Sequence, residues 1–242
     1  MSTAPRQHAN VTAIVLCGGR SRRFGEDKTQ AALHGRPVLD WLLDSLPGGW
    51  DVICVGHERP TTRAGVRWTR EDPAGGGPVA ALAAGLALVS APTVVLLGGD
   101  MPFAGAAAAR LAEDLVEGSV DCLVASSVGR RASSAGPRAS SGPRASRASG
   151  SPSGPDVGDG SAGPDRMGDP GPANATAQPL LSAMRTTALR AAVPAAPAGL
   201  PLRRLFDTLE HRLVLLPDDA SLDIDTHEDL ARAQTVARRL AP

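Results

Sequence analysis

Between Val11 and about Ser126, short apolar runs alternate with segments of helical period, and this alternation restricts the fold more than anything else in the chain. VTAIV from Val11, VICVG from Val52, TVVLLGG from Thr93 and VDCLVAS from Val120 are apolar at nearly every position, as strands buried on both faces are. Between them, PVLDWLLDSL from Pro37, PVAALAAGLALV from Pro78 and the stretch Ala106 to Glu117 place apolar residues at helical spacing. Two of these open on a proline suited to a first helical turn. Strand and helix in alternation predict an α/β domain, a three-layer Rossmann-like fold whose mostly parallel sheet has helices on both faces. Such sheets place ligands at the carboxyl ends of their strands. At 242 residues and 42% hydrophobic, the chain can bury a proper core. With 2% aromatics and no Tyr, that core is Leu, Val and Ala.

The alternation stops at residue 127. Residues 127–177 are Gly, Pro, Ser, Ala and Arg, joined later by Asp, and GPRAS occurs twice, from Gly136 and Gly142. Such a composition buries too little apolar surface to offset its chain entropy, so it is expected to be a disordered insertion. An Arg-rich tether for nucleic acid is the weaker reading, because the segment has no aromatic residues for stacking. The pattern resumes with QPLLSAMR from Gln178 as a strand, a helix from Thr186, a short helix within LPLRRLFDTL and the strand HRLVLLP from His211. THEDLARAQTVARRL closes the chain as a helix, Thr226 and Asp229 resembling a capping box with Asp in place of Glu. The expected organisation is a flexible terminus at 1–10 and a single domain made of 11–126 and 178–240, interrupted by the insertion 127–177.

Lys plus Arg equals Asp plus Glu at 25 each, so the net charge is zero, whereas a duplex-binding domain is usually clearly basic. Nucleic acid is therefore not expected as a partner. Cys17, Cys54 and Cys122 are widely spaced with no CxxC, which fits a reducing compartment. No run approaches the ~18 apolar residues of a membrane helix, and the apolar stretch after the polar first residues is too short for a secretion signal. A soluble cytoplasmic protein without membrane contact is expected. The five histidines are scattered without ligand spacing, so no zinc site is expected.

The segment LCGGRSRRFGEDK, Leu16 to Lys28, follows the first strand directly. Glycines there let backbone N–H groups approach anionic oxygens without a Cβ in the way. Gly18 and Gly19 are adjacent, so this is not the dinucleotide fingerprint GxGxxG. Gly25 precedes Glu26, so it is not the P-loop GxxxxGK[ST] either. What remains is a loop on which Arg20, Arg22, Arg23 and Lys28 converge, suited to a triphosphate. The bland reading is a solvated basic turn, which would not need paired glycines beside a buried strand.

The same residues resemble the signature L-x-G-G-x-S-x-R-x-G-x-D-K of nucleotidyltransferases of the molybdenum cofactor guanylyltransferase type. Leu16, Gly18, Gly19, Ser21, Arg23, Gly25, Asp27 and Lys28 fill each fixed position. The resemblance implies the fold of nucleotide-diphospho-sugar transferases. It also implies that the loop, with Leu16, Gly18, Gly19, Arg20 and Ser21, wraps the nucleotide phosphates, and that Lys28, supported by Arg23, neutralises the departing pyrophosphate. Three further segments resemble the family in order. EDPAGGGPVAALAAGL from Glu71 is similar to the segment lining the guanine pocket, which implies Gly76, Gly77 and Pro78 against the base and Asp72 accepting from guanine N1 and N2. VVLLGGDMPF is similar to the strand that ends in acid-x-Pro, which implies Asp100 as an Mg²⁺ ligand. Such a role suits an ion that prefers one or two carboxylates plus phosphate oxygens. SLDIDTHEDLARA is similar to the closing segment, where Asn-x-Asn is frequent. Here both are aspartates, Asp223 and Asp225. That departure reads as a second metal carboxylate, as in cytidylyltransferases and sugar nucleotidyltransferases, with Asp225 favoured, as a variant guanylyltransferase, or as support for the helix start before Thr226. QPLLSAMR matches the QPL segment on the acceptor side.

The implied reaction is GMP transfer from GTP to molybdopterin or its molybdenum-loaded form with release of pyrophosphate, with Mg²⁺ as cofactor. A molybdoenzyme or another protein of cofactor synthesis is the implied protein partner. Two alternatives stand beside it: a cytidylyltransferase or other nucleotidyltransferase using another phosphorylated acceptor, and a non-catalytic nucleotide-binding or cofactor-delivery protein. The resemblance does not reach the 127–177 insertion.

Overall fold

The computed structural model describes residues 10–18, 27–128 and 175–240. These belong to one unit of the chain. The first strand, β1 (Val11–Leu16), is buried except at its half-buried last residue and lies third across a seven-stranded sheet. After it come a hairpin of two short strands, β2 (Ala32–Leu33) and β3 (Arg36–Pro37), and then α1 (Val38–Ser45). The hairpin turns at His34 and Gly35, both at positive φ (51° and 76°), the geometry of a two-residue primed turn. The chain continues through β4 (Asp51–Val55), β5 (Arg67–Thr69), α2 (Pro78–Leu86), β6 (Thr93–Gly98), α3 (Gly105–Glu117) and β7 (Cys122–Val128). It closes through β8 (Ala175–Arg185), α4 (Thr186–Ala192), α5 (Arg203–Phe206), β9 (His211–Leu215) and α6 (His227–Leu240).

The order across the sheet is β5-β4-β1-β6-β8-β7-β9. β8 runs antiparallel to both its neighbours, and all other pairings are parallel. The mostly parallel sheet expected from the alternation is thus present, with one reversed strand inside it. β7 and β8, consecutive in the chain, pair antiparallel, their outermost paired residues being Val128 and Ala175. Ser127 and Val128 extend β7, and Ala175 to Ala177 extend β8, so the strands run past the expected insertion boundaries. The rest of the expected insertion lies outside the described residues, as does the expected flexible terminus except Asn10.

Alternating strand residues feed two cores. Ala13 and Val15 of β1 join Leu39, Leu42 and Leu43 of α1 and Leu111 and Leu115 of α3 on one face. Ile14 joins Val79, Leu82 and Leu86 of α2, Leu189 of α4 and Leu205 of α5 on the other. Gly85 lets α2 lie close to the sheet, since a Cβ there would come within 2.8 Å of Ile14 Cγ2. A third cluster, with Leu33, Val38, Ile224, Ala233 and Ala237, seats α6 against the hairpin. The expected capping box is formed. Asp229 N donates to Thr226 Oγ1 (3.2 Å) and Thr226 N donates back to Asp229 Oδ2 (3.0 Å).

Three arginines serve the helix ends. Arg63 donates to the carbonyls of Leu43, Leu46, Pro47 and Trp50 beyond α1. Arg185 reaches those of Leu115, Gly118 and Val120 at α3, and Arg190 those of Leu86 and Val89 at α2. Each satisfies carbonyls that a helix leaves without partners and places a cation at the negative end of its dipole.

Among the described residues, the buried side-chain polar atom without a partner is Thr12 Oγ1, in the middle of the sheet. A desolvated, unbonded hydroxyl costs free energy that a methyl of the same shape does not. Thr12→Val should therefore raise stability by about 1 kcal/mol, read as a higher denaturant midpoint at unchanged slope. A lower midpoint would show that the hydroxyl has a partner in solution.

Candidate active site

β1, β4 and β6 lie in register at their carboxyl ends, where Leu16 pairs with Val55 on one side and with Gly98 on the other. The chain leaves the sheet there at three adjacent points. Two backbone bonds hold the exits together: Cys17 N to Val55 O (2.8 Å) and Gly99 N to Leu16 O (2.9 Å). A cleft of about 1060 Å³ opens over them. Leu16, Gly18, Lys28, Gly77, Pro78, Asp100 and Asp225 line it, so the structure gathers these sequence-derived candidates at one site. Gly19, Arg20, Ser21 and Arg23 lie outside the described residues.

Lys28 is the centre of the arrangement. It opens a single 3-10 turn, Lys28–Gln30, whose N-cap is Asp27. Its Nζ pairs with Asp100 and with Asp225, the latter at 2.6 Å. Asp100 is 8% exposed and sits just beyond β6. It has room because residue 98 is glycine: a Cβ there would fall 2.5 Å from Asp100 Oδ1. Asp225 arrives from the far end of the chain. Ile224 N donates to Asp100 O (3.1 Å), and Asp225 N points at Asp229 Oδ2 (3.3 Å), so the cap of α6 also fixes this backbone.

The electrostatics follow from this geometry. Burial disfavours the Lys28 ammonium, but the Asp100 and Asp225 carboxylates outweigh it and hold the lysine pKa above its usual value. Asp223 is pushed up, first by burial and then by the charges of Asp225 and Asp100. The three aspartates therefore form one acidic locus, neutralised in part by one lysine.

No group of three or more His, Cys, Asp or Glu side chains is placed to hold a metal ion by itself among the described residues. A pair of carboxylates that already shares a cation does fit Mg²⁺, which completes its shell with phosphate oxygens and water. Asp100 and Asp225 are that pair.

Asp72 is exposed and does not line the cleft. The carboxylate of that segment which does is Glu71, whose Oε1 accepts from Gly75 N (3.0 Å). Gly75 and Gly77 both take positive φ (79° and 89°), which explains glycine at these two turns. Gly76 is buried, and its carbonyl accepts from Gly199 N (2.7 Å).

Sequence reasoning also passed over His57, Arg70 and Arg59. His57 and Arg70 line the cleft from the exits of β4 and β5. Arg59 bonds Cys17, Asp27 and Thr29, the described residues on either side of the glycine-rich segment. Nothing local marks these residues, since their positions depend on strand order. Cys17 is buried, and its thiol is pushed up well above its usual value by its hydrogen bond with Cys54 and by burial. A buried thiol held protonated is not activated as a nucleophile.

Solved structures share this fold. A molybdopterin-guanine dinucleotide biosynthesis protein A from Archaeoglobus fulgidus superposes with a TM-score of 0.60 at 17% identity, over 94% of this chain and 99% of that one. A 2-C-methyl-D-erythritol 4-phosphate cytidylyltransferase from Thermus thermophilus gives 0.60 at 18% identity, over 93% and 98%. The class defined is thus an α/β domain with the fold of these proteins. Within it, the chain belongs to the MobA-like NTP transferase domain family, whose pattern it matches over residues 13–214. It is 38% identical over 98 residues to a molybdenum cofactor guanylyltransferase of Xanthomonas euvesicatoria, covering 40% of this chain and 50% of the relative. It is 34% identical over 98 residues to a probable molybdenum cofactor guanylyltransferase of a Nostoc species, covering 38% and 47%. The chain spans about half the length of these relatives.

Proposed function

We propose that the protein is a nucleotidyltransferase that moves GMP from GTP to the terminal phosphate of molybdopterin or Mo-molybdopterin, acting in the cytoplasm. The observation that carries this is the Lys28 ammonium, held between Asp100 and Asp225 in the 3-10 turn that follows the glycine-rich segment. An oxygen of the acceptor phosphate attacks the α-phosphorus of GTP. The bond from that phosphorus to the α,β-bridging oxygen breaks, and pyrophosphate leaves with the electron pair. The attacking oxygen is already anionic, so no strong base is required. Catalysis rests on positioning and on neutralising charge.

In this reading, backbone N–H groups of the loop beginning at Gly18 hold the phosphates, with Arg20, Ser21 and Arg23 in support. Lys28, kept cationic by its two carboxylates, meets the charge growing on pyrophosphate. Asp100 and Asp225 would hold Mg²⁺, which supplies charge neutralisation at the phosphates when bound. The Glu71-braced turn with Gly77 and Pro78 faces the base. A molybdoenzyme or another cofactor-synthesis protein would receive the product. No described helix is long and apolar enough to cross a membrane.

Asp223 and Asp225, where the family frequently has asparagines, favour CTP as the second reading. Pyrophosphate release with Mg²⁺ and molybdopterin or Mo-molybdopterin, measured separately for GTP and CTP, tests both. Release with GTP is expected. Release with CTP instead would move the protein to cytidylyl transfer. GTP binding without release under any acceptor would make it a binding or delivery protein.

A further inference from the structure

Arg59 has no role in the reaction above, yet it touches the chain on both sides of the glycine-rich segment. Arg59 Nη2 donates to Cys17 O (3.4 Å), one residue before Gly18. Arg59 Nη1 donates to Asp27 Oδ2 and to Thr29 Oγ1, on the chain as it returns. Its Nε is spent on His57 O (3.1 Å), which ties the guanidinium to the exit of β4. The head group lies over the Trp68 ring, 5.7 Å from its centroid, and the side chain is 11% exposed. Asp27 is divided between two duties: Oδ1 accepts from Thr29 N (3.1 Å) and Thr29 Oγ1 (2.7 Å), capping the Lys28 turn, while Oδ2 faces Arg59. Asp27 is therefore an anchor, and Lys28 is the next residue.

We infer that Arg59 is a positioning residue: it clamps the two stems of the glycine-rich loop together and so sets the phosphate-binding geometry of the loop and the place of Lys28. Only a planar fork does this. A lysine reaches Asp27 or Cys17 O, but not both, and stacks less well on Trp68. The clamp does not line the cleft, so it acts through Gly18 and Lys28. Its loss should weaken nucleotide binding more than it slows the chemical step. A displacement of about 1 Å in a positioning element is enough to cost up to about a hundredfold.

The inference rests on the nucleotide reading, so its test has two arms. In the first, the affinity for GTP with Mg²⁺ is measured by calorimetry for the wild type, Arg59→Ala and Arg59→Lys, alongside KM and kcat. Arg59→Ala should weaken affinity by about ten- to a hundredfold, with KM moving more than kcat, and Arg59→Lys should fall between. In the second, hydrogen exchange is followed at Gly18 and at Lys28 to Ala31 without nucleotide. These amides should exchange faster in Arg59→Ala while those of β1 and β6 do not change. If Arg59→Ala does not fold, Arg59→Lys carries both comparisons. A lowered melting temperature with unchanged nucleotide affinity overturns the inference, and so do unchanged stem amides. A wild type that binds no nucleoside triphosphate overturns the functional reading instead, and the exchange arm still decides whether Arg59 holds the stems.

Discussion

Lys28→Ala should lower the rate of pyrophosphate release by about 10²–10³, the loss expected when one preorganised donor to a developing charge is removed. The effect belongs in kcat, because the ammonium matters most when charge moves onto the leaving group. Lys28→Arg should not restore it: a compact ammonium fits between Asp100 and Asp225, and a planar guanidinium does not present its charge in the same way. A second consequence has the opposite sign. Without nucleotide, the Lys28 ammonium occupies the acidic pair, so Lys28→Ala should bind Mn²⁺ more tightly than the wild type does. Titration with Mn²⁺ followed by electron paramagnetic resonance reads this directly. Turnover within a factor of a few of wild type would remove Lys28 from the reaction.

The second large effect is expected at Asp100. Asp100→Asn keeps the shape but removes charge at a site that is 8% exposed, where water cannot substitute for it. Turnover should fall by about a hundredfold or more, and half-maximal activity should require more Mg²⁺. Asp225→Asn should be milder, because that side chain is 51% exposed and solvent already screens it. The order of the two losses is the informative result. A greater loss at Asp225 would put the metal on the closing segment, with Asp100 serving mainly to hold Lys28.

Lys28 and Asp100 could be singled out in the sequence because each lies in a short motif that resembles the family, one well after β1 and one just beyond β6. The layered architecture was legible too, since buried parallel strands are apolar throughout and helices carry their own period. The reversed β8 was less visible: its apolar run reads the same in either direction, and direction is set by what it pairs with. Arg59 and Arg63 show a related limit. Both are polar residues after β4, yet one bridges the loop stems and the other gathers carbonyls beyond α1. The loop-stem partners of Arg59 and the carbonyl partners of Arg63 lie 13 to 42 residues away in sequence, and no local spacing encodes such contacts. Glu71 and Asp72 differ by one position and by which way the turn aims them, which is a matter of backbone dihedrals.

The outermost rung of the β7–β8 ladder joins Val128 to Ala175. Whatever lies between them begins and ends at neighbouring points, so the sheet is already closed before that stretch is counted. Each doubling of a flexible connection costs only about 0.6 kcal/mol. The Val128–Ala175 rung therefore acts as a socket: its two ends are fixed next to each other by the sheet, apart from the Lys28–Asp100 pair.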